Sequence, residues 1–105
     1  MKYHVKFTDS VYKALSKLDK YTAKMLINWI SDKLDGTENP RTYGKALSAN
    51  LVGLWQYRVG DYRIITKIED DKLIILIIAI GHRKEKYNKW LMFYVKISLD
   101  IITSL

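Results

Sequence analysis

Leu54-Trp55-Gln56-Tyr57-Arg58-Val59-Gly60-Asp61-Tyr62-Arg63-Ile64-Ile65 is the stretch that decides the fold. Leu54 to Val59 alternates as a strand with one buried face does, and Tyr62 to Glu69 reads as the return strand. Between them Gly60-Asp61 forms a two-residue hairpin loop, because the favoured tight turns need a residue that tolerates positive φ. That loop fixes the register: Val59 faces Tyr62, Arg58 faces Arg63 and Gln56 faces Ile65, and directly opposed side chains share a face. Two guanidinium groups therefore stand side by side, an arrangement that destabilises a hairpin unless something compensates. Both side chains can reach into water, or Asp61 or Glu69 can neutralise one of them. The reading favoured over these is a phosphate site, in which a bound anion supplies the missing negative charge.

Downstream, Asp70-Asp71 is a second candidate turn, and Leu73 to Ile80 is a run of apolar, mostly β-branched residues fit for a central strand buried on both faces. With a two-residue turn there, Arg63 faces Ile78 and Asp61 faces Ile80, so the last strand ends beside the Gly60-Asp61 hairpin. Gly81-His82-Arg83-Lys84-Glu85-Lys86-Tyr87 emerges at that point. It brings an imidazole, a third guanidinium and a phenol close to the paired arginines. Strict alternation puts His82 on the Arg63 face, although Gly81 is a place where the chain can bend. Singly, each residue has an ordinary explanation: a strand end, surface charge, a wet tyrosine at the core edge. Their convergence is what points to a site.

Upstream, Lys2 to Phe7 alternates as a first strand. Thr8, Asp9 and Ser10 offer N-cap side chains to a helix carrying Val11, Ala14, Leu15 and Leu18. A second helical stripe runs through Ala23, Leu26, Ile27, Ile30 and Leu34, with Gly36 as its C-cap. Tyr21, Met25 and Trp29 widen that stripe and read as core or helix–helix contact. The expected fold is α+β: an N-terminal strand, a two-helix hairpin, then a three-stranded antiparallel meander, all in one sheet packed by the helices. Residues 1–88 form a single domain on this reading, and residues 89–105 an extension packed on it.

Composition bounds the function. The 105 residues include no Cys, which removes disulfides, thiolate metal sites and thiol nucleophiles and fits a reducing, cytoplasmic setting. No stretch reads as a signal peptide, and Lys or Asp interrupts every apolar run before it is long enough to cross a bilayer, so no membrane partner is expected. The formal charge of +7, from 18 Lys and Arg against 11 Asp and Glu, favours a polyanionic partner. All four arginines, Arg41, Arg58, Arg63 and Arg83, fall between residues 41 and 90, and Arg is the residue suited to bidentate phosphate contacts.

No carboxylate pair, His-rich metal spacing, Gly-rich phosphate loop or Ser-His-Asp pattern appears, so the site is expected to use neither metal nor small-molecule cofactor. Three arginines with His82 and Tyr87 suit phosphoryl transfer on RNA. There the 2′-hydroxyl attacks the adjacent phosphorus, and the protein removes a proton, stabilises the phosphorane and protonates the leaving 5′-oxygen. Arg58, Arg63, Arg83, Tyr87 and His82 are the candidate catalytic residues. Arg41, Lys45, Gln56, Lys84 and Lys86 are candidate RNA contacts.

The stretch from Leu54 to Ile65, with Gly81-His82-Arg83 and Tyr87, resembles the RelE toxins of the RelE/ParE toxin–antitoxin superfamily. The likeness extends through Asn39-Pro40-Arg41-Thr42-Tyr43-Gly44-Lys45-Ala46-Leu47 and covers residues 1 to 88 in element order. The resemblance implies a ribonuclease-like α+β fold, cleavage of messenger RNA in the ribosomal A site, and neutralisation by a cognate antitoxin, an acidic or amphipathic chain that covers the basic site at Arg58, Arg63 and Arg83 or displaces the C-terminal segment. By position, Arg63 and Arg83 look like the phosphate-stabilising or proton-donating arginines and Tyr87 like the C-terminal catalytic tyrosine. Arg58 and Gln56 stand where RelE proteins often place Lys. The apolar tail from Trp90 departs from the family and is read as a short C-terminal helix plus an extension. Two rivals remain: a ParE-like toxin that inhibits DNA gyrase without catalysis, and an RNA- or ribosome-binding module without turnover.

Overall fold

The protein was analysed as a computed structural model that describes residues 1–47 and 52–82. Seven elements follow in chain order: β1 (His4–Phe7), α1 (Asp9–Lys17), α2 (Lys20–Lys33), β2 (Lys45–Ala46), β3 (Trp55–Val59), β4 (Tyr62–Glu69) and β5 (Ile74–His82). They build one five-stranded sheet in the order β1-β5-β4-β3-β2, with β1 parallel to β5 and the other pairs antiparallel.

Helix starts are set by side-chain caps. Thr8 Oγ1 accepts from the Val11 amide at the head of α1, and Asp19 accepts from both the amide and the hydroxyl of Thr22 at the head of α2. The two helices cover one face of the sheet. Val11, Leu15, Leu26, Ile30 and Leu34 pack there against Tyr57, Val59, Ile64, Ile75 and Ile77. The opposite face holds a smaller cluster of Leu54, Ile65, Ile78 and Ala79. Alternation along β3 divides Trp55, Tyr57 and Val59 from Leu54, Gln56 and Arg58.

The Gly60-Asp61 hairpin stands as the sequence requires. Arg58 pairs with Arg63, Val59 with Tyr62 and Gln56 with Ile65, and Gly60 takes a φ of 58°. The next hairpin differs from its expected form. Its connection is four residues, Asp70 to Leu73, with Leu73 at a φ of 55°. A bulge between Ile65 and Thr66 then leaves Ile78 as an extra residue on β5, between Ala79 opposite Ile65 and Ile77 opposite Thr66. Together these shift the pairing by three positions: Arg63 faces Gly81 rather than Ile78, and Ile80 faces Ile64 rather than Asp61.

Other departures are local. The short edge strand β2 extends the meander, and its Lys45 pairs with Gln56. Tyr21 is 80% exposed and Ile27 43% exposed, so neither belongs to the core that their spacing indicated. The stripe facing the sheet is narrower than the apolar stripe of the sequence. Trp29 does pack inward, with its ring 5.7 Å from that of buried Tyr57. The expected C-terminal helix lies outside the described residues.

Candidate active site

The corrected register makes two rows across the hairpin end of the sheet. Arg58, Arg63 and Gly81 form one row on the face away from the helices, and Val59, Tyr62 and His82 form the other on the helix face. The two arginines are directly opposed, which puts their Cα atoms about 5 Å apart. Arg58 is exposed and Arg63 half-buried. Gly81 beside them is buried and has no side chain, so the row ends in backbone rather than in a third side chain.

His82 belongs to the second row, not to the Arg63 face. Its ring meets Tyr62 edge-on at 5.4 Å between centroids. The reversal follows from the three-residue shift: an odd slip moves every side chain to the other face. Tyr62 is thus a neighbour of the site that sequence reading passed over, because the expected register set it opposite Ala79 rather than opposite the strand end. Arg83, Lys84, Lys86 and Tyr87 lie outside the described residues. In the sequence they come after His82, the last residue of β5.

Lys45 and Gln56 lie one step along the sheet from Arg58, on the same face, since Lys45 opposes Gln56 and Gln56 opposes Ile65. Lys45 is exposed. Gln56 is only 5% exposed, and among the described residues its Oε1 has no hydrogen-bond partner. Lys45 is held in place by Gly44, whose φ is 82° and whose hydrogen faces the sheet so closely that a Cβ would stand 2.2 Å from the Gln56 carbonyl oxygen.

Arg41 is elsewhere. Its Nη1 and Nη2 each donate to Asp70 at 2.9 Å, and the Tyr3 hydroxyl donates to the same carboxylate at 2.6 Å. The Arg41 guanidinium also lies over the Trp55 ring, 5.9 Å from its centroid. Asp70 follows β4, at the end opposite Arg63, about 20 Å away by strand rise. Hydrogen bonds from Arg41 and Tyr3 hold the Asp70 carboxyl down to a pKa of about 2. Glu69 approaches Lys67 at 3.8 Å. Among the described residues no cluster of three or more His, Cys, Asp or Glu could hold a metal ion, and no helix is long and apolar enough to cross a membrane.

Over residues 5–87 the sequence matches the family model of the ParE toxin of the parDE type II toxin–antitoxin system. The chain belongs to the RelE/ParE superfamily of type II toxins. Toxin RelE of Mycobacterium tuberculosis is 33% identical over 86 residues, covering 82% of this chain and 87% of the relative. The RelBE2 toxin–antitoxin complex from the same organism contains a chain that superposes with a TM-score of 0.72 at 27% identity, covering 81% of this chain and 95% of that one. In the archaeal RelE–RelB complex of Pyrococcus horikoshii the values are 0.61 and 28%, covering 82% and 100%. In this toxin the paired arginines and the end of β5 lie together at the Gly60-Asp61 hairpin end of the sheet.

Proposed function

We propose that this toxin is a metal-independent endoribonuclease that cuts messenger RNA in the ribosomal A site. The observation that carries the reading is the opposed Arg58–Arg63 pair beside Gly81 and the end of β5. Directly opposed residues share a face with Cα atoms about 5 Å apart, so both guanidinium groups can reach one phosphate. The guanidinium groups would stabilise the phosphorane formed when the 2′-hydroxyl attacks, and Arg83 and Tyr87 would supply further charge and proton transfer from the chain after His82. Tyr62 fixes His82 on the helix face, which makes His82 a positioning residue for that segment in this reading. Its cognate antitoxin, ribosome and messenger RNA are the partners.

The ParE match supports a second reading, gyrase inhibition without catalysis. Primer extension on a reporter message translated in a cell-free system separates the two. Wild-type toxin is expected to give discrete codon-phased cuts, with Arg63→Ala and Arg83→Ala reducing them about a hundredfold or more and Tyr87→Phe sparing ribosome binding. Intact message together with arrested supercoiling by gyrase would establish the second reading instead.

A further inference from the structure

Gln56 is a neutral side chain set among cations. It lies on the sheet face away from the helices, directly opposite Lys45 of β2 and two residues before Arg58 on β3. Two residues of strand put its Cα about 7 Å from that of Arg58, the scale of one nucleotide from phosphate to base. Lys45 and Arg58 are exposed, whereas Gln56 is only 5% exposed. Among the described residues its Oε1 accepts no hydrogen bond. The side chains of Leu54, Ile65, Ile78 and Ala79, which cluster on the same face, have no donor to offer it. Buried polar groups are as a rule paired, so an orphaned acceptor beside a phosphate-gripping pair calls for a donor from outside the fold.

A carboxamide cannot share the work of the arginines. It carries no charge, so it adds little to the binding of a phosphate or the stabilisation of a phosphorane. What it has is an acceptor and a two-proton donor side by side. That pattern complements a base edge on which an amine adjoins a ring nitrogen, and adenine N6 and N7 are its matched partners. Unpaired RNA bases present such edges to side chains. To meet one, Gln56 must swing outward from its enclosed position. The strand between it and the sheet margin, β2, is only two residues long, and no hydrogen bond to Oε1 opposes the movement.

We propose that Gln56 reads an adenine next to the phosphate held by Arg58 and Arg63, its Oε1 accepting from the N6 amine and its Nε2 donating to N7. The inference rests on the ribonuclease reading and adds base selection to it. Gln56 is then a specificity residue, while the arginines supply affinity without regard to sequence.

The test is primer extension on reporter messages translated in a cell-free system, with the codon offered to the toxin carrying A, C, G or U at each position in turn. Wild type is expected to cut codons with adenine at one position about tenfold faster than those in which another base replaces it, and Gln56→Met to lose that preference. Lys45→Ala should cut every message more slowly and keep the preference, since a lysine on phosphate acts alike on all sequences. Messages made with 7-deazaadenosine, which pairs normally but lacks N7, put the same question to the unaltered protein. On them the wild-type preference should fall about threefold or more, and Gln56→Met should not respond. That arm keeps the result readable if Gln56→Met unfolds. Wild-type cutting without a preference for adenine overturns the proposal, as does an adenine preference that survives in folded Gln56→Met or on messages lacking N7. Intact message with wild-type toxin would overturn the ribonuclease reading itself, and the proposal with it.

Discussion

On the proposed reading, Arg58 is where stability and function oppose each other most directly. Its side chain is exposed, so Arg58→Ala forfeits little packing and relieves the like-charge opposition to Arg63. The substitution is expected to leave thermal stability unchanged or to raise it by about 0.2–1 kcal/mol, while RNA affinity falls. A melting point lowered by several degrees would show that the guanidinium is structural. Gln56 belongs to the same argument: a buried acceptor without a partner among the described residues costs about 1–3 kcal/mol, so Gln56→Met is expected to melt higher than wild type. Gly44 is the converse case, where backbone space is decisive. A Cβ 2.2 Å from the Gln56 carbonyl cannot be accommodated without separating β2 from β3. Gly44→Ala should therefore destabilise the fold by more than about 2 kcal/mol, reflecting both the clash and the positive φ. Chemical denaturation measures that loss, and loss of hydrogen-exchange protection at the Leu47 amide, which donates to Leu54, would locate it.

At the scale of elements, the N-terminal strand, both helices, the first hairpin and the buried last strand were all legible from periodicity, caps and a Gly-Asp loop. What escaped were features whose cause is tertiary. The four-residue connection from Asp70 to Leu73 puts a leucine at positive φ, a choice no local propensity favours. The extra residue Ile78 leaves no mark in a run that is apolar throughout. Because β-branched residues fill that run, its alternation is invisible, and with it the face on which His82 emerges. Edge strand β2 is only two residues long, too short for any pattern. The Asp70 connection also holds three segments together, since Arg41 and Tyr3 both donate to its carboxylate. Its folded pKa of about 2 lies below the ordinary value of 3.8, so the stabilisation is fully present above pH 3.8 and is lost as pH falls from there toward 2. With the Asp70 side chain 54% exposed, solvent screening holds that contribution to less than about 1 kcal/mol. Acid titration of stability in wild type and Asp70→Asn checks it: the two curves should converge near pH 2, and parallel curves across that window would exclude the linkage.

On the scale of the whole molecule, the +7 charge is not one undifferentiated field. Sequence reading grouped Arg41 with the other arginines because residue type and order along the chain are all it had. The fold instead binds Arg41 to Asp70 and leaves it about 20 Å along β4 from Arg63. An arginine already neutralised by a bidentate carboxylate releases few counterions when RNA binds, whereas one that meets a phosphate releases them in full. The salt dependence of RNA affinity should therefore distinguish the two. Each phosphate contact on a single strand contributes about 0.7 to the slope of log affinity against log salt concentration. Arg58→Ala is expected to lower that slope by about this amount, and Arg41→Ala to leave it unchanged while lowering the melting point. Equal slope changes in both variants would mean that Arg41 exchanges Asp70 for phosphate on binding, and the RNA-contacting surface would then run the whole length of the sheet.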